Sequence, residues 1–367
     1  MKIPFVDLKA QYFSIKNEID TAIQNVINET AFIKGKYVQK FEEHYAVSYG
    51  VKHVISCANG TDAIYITLKA LGIGPGDEVI TVANTWISTS ETISQAGAKP
   101  VFVDIHPNYY TIDVSKIEEK ITHKTKAIVP VHLFGQPVEM DAIVDICASH
   151  NLLLIEDCAQ AHFAEWKGQK VGTFGIAGTF SFFPGKNLGA YGDAGAIITN
   201  DDDFAIRARM FANHGSIKKH DHEFEGVNSR MDGMQAAILS VKLPYIHEWS
   251  QKRLEHVKTY NSLLAGFNNI ETPKIHPDVK HVFHLYVIRT EKRNQIQKHL
   301  KENGIATGIH YPTPLPFLEA YNYLHHKPGD FPVAYDYMTK ILSLPIYPEI
   351  SDDQINFVVS KVEEFFS

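Results

Sequence analysis

Cysteine is scarce in this chain of 367 residues, which carries three: Cys57, Cys147 and Cys158. They form no C-x-x-C pair and sit inside apolar stretches. A disulfide framework is therefore excluded, and buried reduced thiols in a reducing cytoplasm are expected. Long apolar runs are missing too. No stretch approaches the roughly 18 uninterrupted apolar residues that a membrane helix needs. The opening, Met1-Lys2-Ile3-Pro4-Phe5-Val6-Asp7-Leu8, lacks the apolar core of a signal peptide. Basic charge is in deficit, with 35 Lys and Arg against 42 Asp and Glu, a net charge of −7. A chain built to grip nucleic acid is normally basic, so that role is disfavoured, although one pocket can still be basic enough for an anionic substrate.

Several fingerprints are absent. Gly72-Ile73-Gly74-Pro75-Gly76 is not G-x-G-x-x-G and follows a helical pattern instead of opening one, so it reads as a helix C-cap and turn. Phe183-Pro184-Gly185-Lys186-Asn187 has Gly-Lys without the Walker spacing. There is no H-E-x-x-H, and His220-Asp221-His222 lacks metal-ligand spacing, so it reads as a solvated loop and no metal site is expected.

The composition that remains is that of a globular chain, 44% apolar and 21% charged, which rules out disorder, collagen and coiled coil. Short β-rich runs alternate with helical patterns over the first two-thirds. Strands are expected at residues 51–57, 77–82, 100–104, 127–133, 152–156, 179–183 and 194–199, with helices at 61–71 and 88–96. Leu152-Leu153-Leu154-Ile155 is continuously apolar, as suits a strand buried on both faces of a parallel sheet. Right-handed βαβ units and an α/β architecture follow. A long helical stretch at 231–264 is interrupted by Pro244. Beyond it, strands at 284–289 and 307–310 and helices at 293–303, 333–342 and 352–366 suggest a small α+β domain. The expected division is residues 1–245 and 246–367.

Four segments could carry chemistry. Ser56-Cys57-Ala58-Asn59-Gly60-Thr61-Asp62-Ala63 delivers a tight turn to a helix N-terminus, whose free N–H groups favour a phosphate; an ordinary N-cap gives the same pattern. Glu156-Asp157 closes a buried strand, where α/β folds place ligands and where a carboxylate needs a cationic partner, unless it only caps the next helix. Lys186 follows an aromatic strand inside a glycine-rich turn, and burial could lower its pKa as an imine-forming amine requires; a solvated loop lysine is the plain alternative. Gly226-Val227-Asn228-Ser229-Arg230-Met231-Asp232 precedes the long helix and by itself is a turn.

In this order, CANGTDA, EDCAQAH, SFFPGKNLGAYGDAG and GVNSRMD resemble the DegT/StrS family of pyridoxal-phosphate-dependent nucleotide-sugar aminotransferases. Pro4-Phe5-Val6-Asp7-Leu8 and His310-Tyr311-Pro312 are similar to that family as well, so the resemblance spans essentially the whole chain. It implies the aspartate aminotransferase fold, fold type I. The large domain would hold a mostly parallel mixed sheet between helices, with residues 1–30 packing on the smaller C-terminal α+β domain. The family's cofactor lysine falls on Lys186, which would hold the cofactor covalently and then serve as the general base. Asp157 falls where the pyridinium partner sits, Gln160 near the ring oxygen, and Trp86 where an aromatic ring stacks on the pyridine. Gly60, Thr61 and Ser181 would hold the phosphate, and Asn228 would do so from the neighbouring subunit of a homodimer.

The implied reaction takes an amino group from glutamate to a keto sugar bound to a nucleotide, for surface polysaccharide such as lipopolysaccharide or another glycoconjugate. His162, His310 and Tyr311 are the candidate sugar contacts, and Lys218 and Lys219 the candidate diphosphate contacts. The run Ala159-Gln160-Ala161-His162 resembles enzymes that aminate C3 of a dTDP-linked 3-keto-6-deoxyhexose. UDP-linked 3-keto hexuronates and 4-keto sugars remain alternatives. Phe163 departs from the family, where glycine is more usual, which implies a changed pocket near the sugar. Lys186 argues against the related dehydratases, which have His there. A cofactor-binding regulator, some relatives having been named as regulators, is the non-enzyme alternative, and no DNA-reading helix-turn-helix is seen.

Overall fold

A computed structural model describes residues 1–218 and 220–367. Three helices open the chain, α1 (Leu8–Ser14), α2 (Lys16–Asn28) and α3 (Lys36–Tyr49). The alternating region runs β1 (His53–Cys57), α4 (Gly60–Ala70), β2 (Glu78–Val82), α5 (Ser88–Gln95), β3 (Lys99–Val103), β4 (Thr125–Val129), α6 (Met140–His150) and β5 (Leu153–Asp157). It continues through two short strands, β6 (Glu165–Trp166) and β7 (Gln169–Lys170), to β8 (Ala177–Ser181), β9 (Gly195–Thr199) and α7 (Asp202–Phe211). Then follow α8 (Gly233–Lys242), α9 (Ile246–Leu264), β10 (Val279–Lys280), β11 (Tyr286–Arg289), α10 (Arg293–Glu302), α11 (Pro332–Tyr337), β12 (Ile341–Leu344) and α12 (Asp352–Phe366).

Seven strands form the main sheet in the order β1-β9-β8-β5-β4-β2-β3. The pairs β2–β3, β2–β4, β4–β5 and β5–β8 are parallel, whereas β9 runs antiparallel to both β1 and β8. Strand order departs from chain order, so the right-handed crossovers carry helices to both faces. β2 and β9 are buried at every position, the polar Glu78, Thr81 and Thr199 included, as strands covered on both faces are. Ile64, Leu68 and Ile93 cover one part of the sheet, with Ala127, Val129 and Ile155 beneath them.

Around Pro244 a short turn, Leu243–Tyr245, joins α8 to α9. Ala236 and Leu239 of α8 belong to the sheet's core. Val257, Tyr260 and Leu264 of α9 belong instead to the core around Tyr286, Ile288 and Val358. Ile3 joins that second core and bridges to Ile305, while Ile15 and Ile19 pack on Ile238 and Trp249.

Two C-terminal expectations are corrected. The 333–342 helix stops at Tyr337, and Ile341–Leu344 pairs with β11 as a strand. Residues 307–310 are not a strand; Gly308 makes one bridge to Ser343. Helices α1 to α3, α6 and α7 were not read from the sequence.

Candidate active site

Alternation along β5 sends its two terminal carboxylates to opposite faces of the sheet. Glu156 is fully buried and accepts the N–H groups of Gly172, Phe174 and Gly175 at 2.6, 2.7 and 3.0 Å, with His132 Nε2 at 3.1 Å. It is a structural anchor for the turn after β7. Asp157 has a different setting. Its Oδ2 accepts the Thr89 hydroxyl at 2.7 Å and its Oδ1 the Ala159 N–H at 3.1 Å. Burial nevertheless holds its pKa above the usual carboxylate range.

Lys186 sits in the irregular turn between β8 and β9, with its N–H bonded to Phe183 O at 2.8 Å. Burial lowers its pKa to about 8, against the pull of the Asp157 charge. At that value about a tenth of the lysine is the free, nucleophilic amine at pH 7, far more than for an ordinary lysine.

The phosphate-cradle segment folds as expected. Asn59 caps α4, its Oδ1 taking the Asp62 N–H at 2.8 Å. Gly60 is required by close approach: a Cβ there would lie 2.6 Å from Ser181 Cβ. The Thr61 hydroxyl meets Ser88 Oγ at 2.6 Å. A helix N-terminus thus faces the hydroxyls of Thr61, Ser88 and Ser181, a set suited to an anion.

Gln160 is held from both sides, its Oε1 accepting the Phe134 N–H at 2.6 Å and its Nε2 donating to Tyr311 Oη at 3.0 Å. The Trp86 ring is 58% exposed and lies 5.8 Å from that of Tyr311. His310 Nδ1 lies 2.8 Å from Ser343 Oγ, and burial lowers its pKa to about 4. Trp86, Asp157, Gln160, Lys186, His310 and Tyr311 are therefore neighbours, and Ser181 stands against Gly60, next to Thr61.

Other sequence candidates lie elsewhere. His162 is fully buried, with Nδ1 3.0 Å from Tyr45 Oη and Nε2 2.9 Å from Ser181 O. Both ring nitrogens are engaged and burial drops its pKa to about 4, so the neutral ring supports Ser181 from below and presents nothing to a sugar. Phe163 is a core residue with φ 59°, its N–H bonded to Tyr49 Oη at 2.8 Å. The left-handed φ is the physical reason glycine suits this position, and no sugar pocket is reshaped by the phenyl ring. Lys218 is exposed, and Lys219 lies outside the described residues. Asn228 is exposed and bridges Asn213.

Sequence reasoning missed four contributors. Thr89 and Ser88 were hidden in an ordinary helix start. His284 Nδ1 lies 3.2 Å from Asn187 Oδ1, and Asn187 in turn donates to Val282 O at 2.9 Å, bracing the residue after Lys186. A cleft of about 230 Å³ lined by Lys34, Glu42, Arg209, Asn213 and Arg230 adjoins the Asn228 segment. Glu42 is taken up by Arg209 at 3.0 Å, so the cleft is cationic on balance. Arg230 stood in the GVNSRMD motif and was the readable signal for it.

Comparison with known proteins agrees with this geometry. The model of the DegT/DnrJ/EryC1/StrS aminotransferase family matches residues 13–363. A pleiotropic regulatory protein of Geobacillus stearothermophilus is 48% identical over 100% of this chain and 99% of its own. The dTDP-3-amino-3,6-dideoxy-alpha-D-galactopyranose transaminase of Aneurinibacillus thermoaerophilus is 44% identical over 99% of each. The crystal structure of S. venezuelae DesV in complex with a ketimine intermediate superposes with a TM-score of 0.97 at 40% identity, covering 99% of this chain and 98% of that one. The chain belongs to the DegT/DnrJ/EryC1/StrS aminotransferase family. It is accordingly a pyridoxal-phosphate-dependent sugar aminotransferase of the aspartate aminotransferase fold.

The residues fit that cofactor. Gly60 leaves the space and the N–H groups for a phosphate, and Asp157 is a buried carboxylate with no cation hydrogen-bonded to it, suited to a pyridinium N–H. Trp86 offers an open ring face, and Lys186 an amine made nucleophilic by burial.

Proposed function

We propose that the chain transfers an amino group from glutamate to C3 of a dTDP-linked 3-keto-6-deoxyhexose, within the assembly of a surface polysaccharide or glycoconjugate. The observation that carries the chemistry is Lys186, a half-buried amine whose pKa desolvation lowers to about 8 within the field of Asp157. The choice of sugar leans on 44% identity to a dTDP-3-amino-sugar transaminase over nearly all of both chains.

Pyridoxal phosphate, when bound, supplies the electron sink that lets a proton leave the amine-bearing carbon. Lys186 Nζ takes that proton and returns it. Asp157, oriented by Thr89 and the Ala159 N–H, keeps a negative charge where a ring nitrogen must stay protonated. Gly60, Thr61 and Ser181 would hold the phosphate, and Trp86 would cover the ring. Gln160, fixed by the Phe134 N–H and by Tyr311 Oη, would face the ring of the cofactor. His310 and Tyr311 line the sugar side.

The working unit in this reading is a two-fold homodimer with shared sites, in the cytoplasm. Support comes from Asn228, whose side chain is exposed on its own subunit, and from the exposed Phe32, Ile33, Ile217 and Phe224 nearby in the chain or across the Ile33–Asp232 bridge. The cationic cleft beside Asn228, with Lys34, Arg209 and Arg230, gives an acidic protein local positive charge for a diphosphate. Three buried free cysteines suit a reducing compartment, and no described helix is long and apolar enough to cross a membrane.

The test is a substrate panel. Cofactor-loaded protein, first reacted with glutamate, is offered dTDP- and UDP-linked 3-keto and 4-keto sugars. Amination of the dTDP-linked 3-keto-6-deoxy sugar at least tenfold faster than the others supports the reading. Preference for a UDP-linked or 4-keto sugar replaces it, and no turnover with any of them favours a regulator.

A further inference from the structure

The turn that presents Lys186 has almost no regular structure; Asn187 ties one side of it to Val282 O, and side chains of one helix hold the other. Residues 184–191 fold back closely, since a Cβ on Gly189 would lie 2.3 Å from Pro184 O. α8 then holds the far side of the turn at two points. Gln235 Oε1 accepts the Tyr191 N–H at 2.9 Å, and Lys242 Nζ donates to Gly189 O at 2.7 Å. These two side chains are two helical turns apart, about 10.5 Å along the axis, on the same face.

Lys242 is fully buried and has no carboxylate in hydrogen-bond contact. Its other partners are Gln11 Oε1 of α1 at 3.0 Å and the face of the Tyr191 ring at 4.2 Å. Glu349 of the C-terminal segment is near enough to favour the charge, but burial outweighs it and lowers the pKa to about 7. A buried ammonium among neutral acceptors is costly to keep, and an apolar side chain would fill the space at lower cost. What the amine provides is a three-way tie of the lysine turn, the N-terminal helix and α8. The same helix follows directly on Ser229, whose hydroxyl donates to Asp62 Oδ2 at 2.6 Å and accepts the Ala58 N–H at 3.0 Å beside the phosphate cradle.

We propose that Lys242 is a positioning residue of the transamination site: through Gly189 O it fixes the turn that aims Lys186, in register with the phosphate cradle held from the start of the same helix. It touches neither substrate nor cofactor and acts through the backbone.

The test is Lys242→Met, with two readouts. Amide hydrogen exchange of the cofactor-free protein needs neither the cofactor nor a sugar, so it stands apart from the identity of the substrate. Residues 184–192 should exchange at least tenfold faster, with α4 and β5 unchanged. In the loaded protein, kcat of the glutamate half-reaction should fall at least tenfold with KM within threefold, and Lys242→Arg should restore part of it. Unchanged exchange in 184–192, or kcat within twofold of the parent, overturns the proposal. Exchange that rises throughout the molecule overturns it too, because Lys242 is then a general fold residue. Should Lys242→Met not fold, Lys242→Gln is read in the same way, and failure of both to fold also counts against the proposal.

Discussion

Lys186 lies in the turn after β8 and Asp157 ends β5, near enough to feel each other's charge, and desolvation lowers the pKa of the first and raises that of the second. Lys186→Ala should abolish turnover while leaving the melting temperature nearly unchanged, since a turn lysine contributes little packing; activity within tenfold of the parent would remove Lys186 from its role. Asp157→Asn should lose most activity, because an amide cannot hold the ring proton; near-parental kcat would refute that assignment. With a pKa of about 8 and the free amine as nucleophile, cofactor uptake by the bare protein should accelerate with rising pH, with a midpoint near 8 and not near the 10.5 of an ordinary lysine. Stopped-flow absorbance across pH 6.5 to 10 checks the direction and the midpoint. The buried histidines set a second pH dependence. His162 and His281 are held neutral by burial, with pKa lowered from 6.5 to about 4 and about 3. The unfolded chain binds more protons in that window, so stability is fully present above 6.5 and is lost as pH falls towards 4, by about 1.4 kcal/mol per unit and per histidine at most. Urea midpoints measured from pH 7.5 down to 4.5 should fall, and a flat profile would contradict the buried neutral rings.

At the level of elements, the phosphate cradle depends on how closely α4 and β8 approach. Gly60→Ala puts a methyl 2.6 Å from Ser181 Cβ, neither of which can swing away. It should cost about 1–3 kcal/mol of stability, as overpacking does, and weaken cofactor binding at least tenfold; a titration showing parental affinity would deny the cradle. Much of this was legible in the sequence, for definite reasons. β5 was marked by the continuous apolar run Leu152-Leu153-Leu154-Ile155, and β2 and β9, buried along their whole length, by β-branched residues. The Pro244 break was visible because proline cannot sit inside a helix. α12 was read at its true bounds because Ser351 caps it and Gln354 completes the box. Val333 to Leu342 misled because a six-residue helix and a four-residue buried strand join without a strong turn signal. His162 misled because its place in the motif says nothing of the direction of its ring, which the aromatic packing of Tyr45, Phe180 and Phe182 decides. Thr89 and Gln235 reach the site by tertiary approach alone, and no local pattern records that.

For the whole molecule, one core joins Ile80, Phe102 and Ile128 of the sheet to Leu285, Val287 and Ile341 beyond residue 245, while Val257, Tyr260 and Tyr286 belong to a second, so packing bridges the division proposed near residue 245. If Asn228 completes the partner's phosphate site, each active site exists only on association. Dilution should then release cofactor, and added cofactor should tighten the dimer. Sedimentation at falling concentration checks this, and a fully active, loaded monomer would eliminate the shared site. The central claim, that this chain works through an amine-bound pyridoxal cofactor on Lys186, has a more direct measurement. The loaded protein is reduced with borohydride, digested, and its peptides are weighed. The account predicts one pyridoxyl group per chain, on the peptide bearing Lys186, and none when glutamate is added before the reductant. A label on another lysine, or no label on a protein saturated with cofactor, would contradict it.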